Sequence, residues 1–219
     1  MLALKLSLLL STLGALGQGT FMNLNFEGAI TPLVPDANGY VPITTALPGW
    51  TGYVGGSQVS EVLYDDRNID AAGISLYDTA GSLQPLQGNY SAFLQGSSVF
   101  AGQQSAAIAQ VGQIPSAAES IQFLFSTSFL PFIPQVTFGG QTIPVVQLSS
   151  NATYVTLGGN ISAFAGQTGE LRFTALPQSG IGLLDNIQFS DVPTPEPGIF
   201  GLSVLGGLLA GWRVCRQQK

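Results

Sequence analysis

The sequence predicts an all-β fold, an antiparallel β-sandwich of two sheets. Short runs of alternating apolar residues recur throughout residues 20–191, separated by Gly, Pro, Asn and Ser. No segment in this range keeps a helical period for three turns. An antiparallel sheet with one apolar face must bury that face against another layer, and here a second sheet is the available layer.

The individual strands follow from these runs. In the run 120–126, the side chains of Ile121, Phe123 and Phe125 share one face. Gly139 and Gly140 predict a hairpin turn, and Pro144 places the return strand at an edge or a bulge. A single helical turn is expected at residues 161–165. The predicted strands are Phe21–Phe26, Ile74–Tyr77, Tyr90–Leu94, Ala106–Val111, Ser120–Ser126, Gln135–Phe138, Thr142–Gln147, Thr153–Leu157, Gly169–Leu176 and Leu183–Phe189.

Residues 1–19 predict a signal peptide with a helical apolar stretch. Lys5 supplies the positive start, residues 6–16 are apolar, and Ala15-Leu16-Gly17 has the small-x-small spacing of a cleavage site. Cleavage after Gly17 or Gly19 would leave residues 20–191 as one exported β-sandwich domain.

Residues 192–219 combine a Pro-rich hinge, an uncharged apolar run at 198–212 and a basic tip. As a helix the run spans roughly 22 Å, which is short of the ~30 Å of bilayer hydrocarbon. Pro195-Glu196-Pro197, the Gly/Leu-rich run and the tip with Arg213 and Arg216 resemble the sorting tail of PEP-CTERM proteins. The alternative is an ordinary single-span membrane anchor.

The resemblance to PEP-CTERM proteins has consequences for partners and location. It implies that an exosortase, a membrane transpeptidase-like enzyme of bacteria, recognises the tail and removes it during export. The membrane is then a transient partner through the short C-terminal helix. We expect the processed protein in the cell envelope, on the cell surface or in the extracellular matrix.

Composition excludes several kinds of site. Residues 18–195 contain two basic and eleven acidic residues, a net charge of −9, which disfavours nucleic acid as a partner. The chain has no His, so His-dependent triads and His-bound zinc are excluded. Cys215 is the only cysteine and lies in the tail, so the domain has no disulfide.

Two short motifs refine the fold. Asn23-Leu-Asn-Phe-Glu27 with Leu47-Pro-Gly-Trp50, and the run 184–189 with Asp185, resemble the first and last strands of carbohydrate-binding jelly-roll modules. The resemblance implies a jelly roll whose first and last strands are neighbours, and a structural calcium ion ligated by Glu27 and Asp185. The alternative makes Glu27 a surface residue and Asp185 a turn residue that caps local amides.

Glycan binding in such modules relies on exposed aromatic rings that stack on sugar C–H patches. Trp50, Tyr53 and Tyr64 are the candidate glycan-binding residues. Trp50 is alternatively a core residue. Tyr64 lies in the polar run 61–70, which is either a ligand-binding cluster with Arg67 or a solvated loop.

The function expected from these patterns is non-enzymatic association with extracellular polysaccharide or biofilm, with weak glycan binding. The alternative is a polysaccharide-active enzyme, a glycoside hydrolase or lyase, on the same scaffold. Glycoside hydrolysis needs two carboxyl groups roughly 5–10 Å apart across a cleft, and no catalytic residue is identified from the sequence.

Overall fold

The protein consists of two β-sheets packed on each other. The computed structural model describes residues 17–98, 102–129 and 132–194, except for the side chains of 127–129. This architecture confirms the predicted all-β sandwich. The predicted signal helix and C-terminal transmembrane helix lie outside the described residues. None of the helices in the described ranges has the length and apolar character of a membrane span.

Fourteen strands build the described sandwich. They are β1 (Tyr40–Pro42), β2 (Thr51–Val54), β3 (Ser57–Val59), β4 (Glu61–Tyr64), β5 (Gly73–Asp78), β6 (Tyr90–Gln95), β7 (Ala106–Gln113), β8 (Ser120–Phe129), β9 (Gln135–Phe138), β10 (Gln141–Ile143), β11 (Val145–Ser150), β12 (Val155–Asn160), β13 (Thr168–Ala175) and β14 (Ile181–Ser190). A helical turn α1 (Ile43–Ala46) follows β1, and the predicted turn near 161–165 is a 3₁₀ helix, Ser162–Phe164.

The sheets contain eight and six strands. The first has the order β1-β4-β5-β6-β14-β8-β12-β11 and the second β10-β9-β13-β7-β2-β3. Every pair of neighbouring strands is antiparallel except β4 and β5, which run parallel.

The predicted first strand, Phe21–Phe26, is wrong. Asn23 and Phe26 have left-handed backbones with φ of 52° and 59°, which breaks an extended strand. The Asn23 side chain accepts a hydrogen bond from the Gly28 N–H at 2.7 Å and stabilises this turn. The segment nevertheless lies beside β14, because the Ile187 N–H donates to the carbonyl of Leu24 at 2.9 Å.

Pro144 divides the predicted return strand between the two sheets. Gly139 and Gly140 form the predicted turn, with φ of 55° and 79°, and β10 returns along β9. Pro144 has no N–H for a ladder. The chain crosses there, so that β10 is an edge strand of the six-stranded sheet and β11 an edge strand of the eight-stranded sheet.

The main core lies between the sheets, where the rings of Phe123 and Phe173 meet edge to face at 5.2 Å. A second apolar cluster, which includes Tyr77, Leu86 and Phe93, is separate from the main core. Tyr77 and Phe93 belong to β5 and β6 of the eight-stranded sheet, and Leu86 lies in the loop before β6. Both faces of β6 are therefore buried.

Candidate functional site

Three side chains meet on the outer face of the six-stranded sheet. Leu171 and Phe173 on β13 are fully buried in the core, so the alternating residues Glu170 and Arg172 point outward. Tyr53 lies on β2, on the other side of β7. We call Tyr53, Glu170 and Arg172 the Tyr53 face.

Arg172 stacks on Tyr53 across the middle strand β7. The guanidinium carbon Cζ lies 4.0 Å from the centroid of the Tyr53 ring. The register pairs Tyr53 with Ala107 and Arg172 with Ala109. Because alanine side chains are small, the two long side chains can meet above the strand. Stacking of this kind contributes about 0.5–1 kcal/mol at an exposed site.

Glu170 fixes the orientation of the guanidinium. Nε of Arg172 donates to Oε1 of Glu170 at 2.8 Å, and Nη2 donates to Oε2 at 3.3 Å. This hydrogen-bonded pair raises the pKa of Arg172 above its ordinary value. Glu170 takes two of the five guanidinium N–H groups, and the Tyr53 side chain is a further hydrogen-bond partner of Arg172. The remaining N–H groups are available to other partners. The Tyr53 face therefore presents oriented donors beside an aromatic ring.

A shallow hollow of about 260 Å³ adjoins this cluster and is lined in part by Met22, Thr51 and Val111. Met22 is 61% exposed and Val111 68% exposed. The side-chain amide of Gln110 holds the Met22 backbone, accepting from its N–H at 2.6 Å and donating to its carbonyl at 3.0 Å. The hollow thus combines exposed apolar surface with fixed polar groups. A ligand with C–H patches and hydroxyl groups suits such a surface.

The structure corrects the prediction for Trp50. The indole is 4% exposed, with Phe26 at 5.7 Å and Phe173 at 6.3 Å between ring centroids. Its Nε1–H donates to the carbonyl of Asn23 at 3.0 Å. Trp50 is therefore a core residue that joins the N-terminal segment to the six-stranded sheet, and its faces are not offered to a ligand.

Tyr64 is also engaged within the protein. Its ring packs against the main core, and its hydroxyl donates to Oδ2 of Asp78 at 2.5 Å. Burial and this hydrogen bond raise the pKa of Tyr64. Tyr64 therefore offers no free hydroxyl, and its half-buried ring is partly covered by the core. Of the three predicted glycan-binding residues, Tyr53 is the one on the outer face of a sheet.

Asp65 and Asp78 form a hydrogen-bonded carboxyl pair behind Tyr64. Oδ1 of Asp65 accepts the Asp78 N–H at 2.9 Å, and the two side chains also hydrogen-bond to each other. Burial and the neighbouring carboxylate raise the pKa of Asp65 to about 6. Burial acts in the same sense on Asp78, but hydrogen bonds from Tyr64 and other groups keep its pKa below the ordinary value. Both carboxyl groups are therefore engaged with each other and with neighbouring groups of the protein.

The predicted calcium ligand Glu27 is bound to the loop before β6. Its Oε1 accepts the N–H groups of Asn89 at 2.8 Å and Tyr90 at 3.0 Å. Oε2 accepts from the side-chain amide of Asn89 at 2.9 Å. Gly88 has a φ of +66°, and a Cβ there would lie 2.3 Å from Oε1. The loop therefore closes tightly over this carboxylate.

Asp185 binds the same loop from β14. It is 1% exposed, and Oδ2 accepts from the Gln87 N–H at 3.0 Å and the Ser91 hydroxyl at 2.7 Å. Oδ1 accepts from the Asn186 N–H at 2.6 Å. Burial raises the pKa of Asp185 to about 6, and the charge of Glu27 adds to this effect. The structure thus brings both predicted calcium ligands to the loop 86–91, an arrangement we call the carboxylate clasp.

The carboxylate clasp supplies part of a calcium coordination sphere. Calcium takes six to eight oxygen ligands, and the described residues contain no group of three or more His, Cys, Asp or Glu side chains suited to a metal ion. Backbone carbonyls and water would have to complete the sphere around Glu27 and Asp185. The N–H donors already satisfy much of both carboxylates, and calcium at this position stays a prediction.

The predicted sorting residues lie outside the described residues. They are Pro195, Glu196, Pro197, Arg213 and Arg216.

The sequence prediction missed Glu170 and Arg172 as site residues. A signal was available, since both alternate with the core residues Leu171 and Phe173 and must therefore face outward. Their contact with Tyr53 depends on the register across β7, which the sequence does not specify.

A larger cavity, about 710 Å³, lies where β8, β11 and β12 meet. Its lining includes Phe125, Phe132, Asn151 and Tyr154, and none of the described residues that line it is charged. Phe125 and Phe132 pack edge to face at 5.2 Å, so much of the wall is core. Tyr154 is another half-buried tyrosine, with which Tyr53 can be compared.

Comparison with known proteins gives distant matches among solved structures. A family 11 carbohydrate-binding module from Clostridium thermocellum, solved with a β-1,3-1,4-mixed-linked tetrasaccharide, is 13% identical with a TM-score of 0.36, covering 68% of this chain and 93% of that chain. The CBM22-1 xylan-binding domain of Xyn10C from Paenibacillus barcinonensis is 14% identical with a TM-score of 0.40, covering 78% and 93%. No protein-family model and no curated protein matches the chain. Similarities of this size assign neither a ligand nor a site residue.

Proposed function

We propose that the protein is an exported, non-enzymatic β-sandwich that binds neutral polysaccharide through the Tyr53 face. The observation that carries the proposal is the Arg172 guanidinium, stacked 4.0 Å from the Tyr53 centroid and held by Glu170. Ordering a flexible arginine on binding costs conformational entropy. Here the ion pair and the stacking fix the arginine in advance, so its free N–H groups are already placed for ligand hydroxyls.

A neutral chain is the ligand that these groups favour. Glu170 compensates the charge of Arg172, and the net charge of residues 18–195 is −9, which repels polyanions at long range. The Tyr53 face lies on the outer face of a sheet, its three side chains are half-buried, and the segment that contains Met22 lies beside it. A sheet surface accepts the interior of a long chain, and several weak contacts along such a chain can add up.

The carboxyl groups of the described residues support a non-enzymatic function. Asp65 and Asp185 have pKa values raised to about 6, as a general acid would. However, Asp65 is hydrogen-bonded directly to Asp78, and Asp185 is buried beneath the loop 86–91. Neither forms a pair of carboxyl groups across an open cleft, as glycoside hydrolysis requires.

Affinity electrophoresis of the full-length chain in gels that contain neutral polysaccharides tests the proposed binding face. We expect Tyr53→Ala and Arg172→Gln to weaken retardation about three- to tenfold, as expected for the loss of one aromatic or hydrogen-bonding contact. The matched control is Tyr154→Ala, which removes a half-buried tyrosine just before β12 of the eight-stranded sheet. Retardation lost in the control and kept in Tyr53→Ala would move the site to the large cavity.

Release of reducing sugar from the same polysaccharides tests the non-enzymatic part of the proposal. We expect none above the rate without protein. Release of reducing sugar that a single Asp or Glu substitution abolishes would show that the protein is an enzyme.

Delivery to the cell surface or matrix is proposed from residues 1–19 and 192–219 alone. In a bacterium with an exosortase, we expect the mature protein to lack both segments. Substitution of Pro195, Glu196 and Pro197 by alanine should leave the tail attached and the protein in the membrane fraction. Mass spectrometry of the mature C-terminus measures this. A tail that stays intact in the unaltered protein would favour the single-span anchor.

A further inference from the structure

A second pocket lies at one end of the sandwich, where three loops meet. These are the β4–β5 loop, the segment after β6, and the β13–β14 loop. The pocket measures about 310 Å³, and its lining includes Arg67, Asp70, Gln95, Gln178 and Ile181. We call it the Gln95 pocket. It shares no lining residue with the hollow beside the Tyr53 face.

The amide of Gln95 has a fixed orientation. Its Nε2 donates to two backbone carbonyls, those of Asn68 at 3.0 Å and Ala71 at 2.9 Å. Carbonyls accept and do not donate, so the nitrogen must face them and the oxygen must point the other way. Gln95 is 7% exposed, and its Oε1 has no hydrogen-bond partner among the described residues. A buried acceptor without a donor is costly. The oxygen itself is covered by protein atoms, so a ligand hydroxyl would reach it after a small shift of the pocket wall, and that contact would remove the cost.

Opposite charges line the rim of the same pocket. The side chains of Arg67 and Asp70 are exposed. Among the described residues, neither side chain forms an ion pair or a side-chain hydrogen bond. Arg67 repels a cationic ligand, and Asp70 repels an anionic one. A hydroxyl group suits both, because it accepts from a guanidinium and donates to a carboxylate or to the Gln95 oxygen.

We propose that the Gln95 pocket binds a single neutral sugar unit, either a free monosaccharide or the end residue of a chain. Its volume lies at the lower end of the range of about 300–1,000 Å³ for ligand pockets, which suits one ring better than a chain. Ile69 and Ile181 supply apolar wall for the C–H face of the ring. The proposal rests on Gln95 and the rim charges, and it stands independently of polysaccharide binding at the Tyr53 face.

Titration of the full-length chain with methyl glycosides of glucose, galactose, mannose and N-acetylglucosamine, followed by calorimetry, tests this pocket. We expect at least one of them to bind, and glucuronate and glucosamine to bind more weakly because each meets a like charge at the rim. Arg67→Gln and Gln95→Met should each weaken binding at least about tenfold. Gln141→Met, on the exposed edge strand β10, is the matched control and should bind as the unaltered protein does.

Several outcomes would overturn the proposal. Absence of binding by every neutral glycoside would mean that the pocket holds water alone. Equal binding by Arg67→Gln and the unaltered protein would show that the rim does not contact the sugar. Because Arg67 lies on an exposed loop, this variant should fold and remains a test even if Gln95→Met does not fold. Binding lost in Arg172→Gln and kept in Arg67→Gln would place the monosaccharide at the Tyr53 face.

Discussion

Trp50 and Tyr53 are three residues apart, yet they have opposite environments. Trp50 is buried between Phe26 and Phe173, and Tyr53 lies on the outer face of the same sheet. We expect Trp50→Ala to lower the free energy of unfolding by about 3–5 kcal/mol, because it leaves a large cavity in the core. Tyr53→Ala should cost less than about 1 kcal/mol. Chemical denaturation measures both.

The comparison of these two variants also separates packing from binding. Tyr53→Ala should weaken polysaccharide retardation while it stays folded. Trp50→Ala, measured under conditions in which it is folded, should keep polysaccharide retardation. Equal destabilisation by both substitutions would contradict the placement of Trp50 in the core.

The Asp65–Asp78 pair predicts a pH dependence of stability. The pKa of Asp65 is about 6 in the folded protein, above about 3.9 in an unfolded chain. Between these values the folded state holds the proton and the unfolded state does not. Lowering the pH from 7 towards 4 therefore stabilises the fold through this group, and raising it through 6 removes that stabilisation.

Asp65→Asn tests this dependence, because an amide imitates the protonated acid. Its oxygen can still accept the Asp78 N–H, its NH₂ can donate to the Asp78 carboxylate, and asparagine tolerates the φ of 53° at this position. We expect the variant to be about 1 kcal/mol more stable than the unaltered protein at pH 7, after allowance for solvent screening of a half-exposed group. The difference should vanish near pH 4. A constant difference across pH 4–7 in thermal unfolding would show that Asp65 does not titrate in this way.

At the scale of single elements, periodicity decided what could be predicted. The long strands β8, β13 and β14 contain enough alternating residues to show a period of two. Strands β1 to β4 have three or four residues each, too few to distinguish alternation from chance. The segment 21–26 alternates like a strand, but left-handed residues and the Asn23 side chain turn it instead.

The carboxylate clasp is the element that a calcium ion would stabilise. Glu27 and Asp185 hold one loop from opposite ends of the domain, and the charge of Glu27 contributes to the raised pKa of Asp185. A cation between them would relieve this repulsion. If calcium binds, saturation at about one hundred times its Kd should stabilise the fold by about 2.7 kcal/mol. Chelation should then lower the Tm.

Glu27→Gln provides the control for the calcium experiment. It removes a charge that the ion needs but keeps one acceptor oxygen for the loop. The variant should be less stable than the unaltered protein and should no longer respond to calcium. A Tm that chelator leaves unchanged in the unaltered protein would show that the N–H donors close the clasp without a metal ion.

At the scale of the whole molecule, the sandwich was predictable and the two sites were not. Sheet pairing follows from the need to bury alternating apolar faces. The Tyr53 face depends on Arg172 meeting Tyr53 across β7, more than one hundred residues apart in sequence. The Gln95 pocket depends on three loops converging on one amide. Both are consequences of register and loop conformation, which composition and spacing do not determine.

The overall charge predicts how polysaccharide binding responds to salt. The net charge of −9 over residues 18–195 repels anionic chains at low ionic strength, and about 0.1 M salt screens that repulsion beyond roughly 10 Å. Affinity for neutral polysaccharide, which depends on short contacts at the Tyr53 face, should change less than about twofold between low and high salt. Anionic polysaccharide should bind weakly at low salt, and its affinity should not fall as the salt concentration rises. Gel retardation at both salt concentrations measures these affinities. If an anionic chain binds tightly at low salt and high salt abolishes this binding, Arg172 acts as a cationic site despite Glu170.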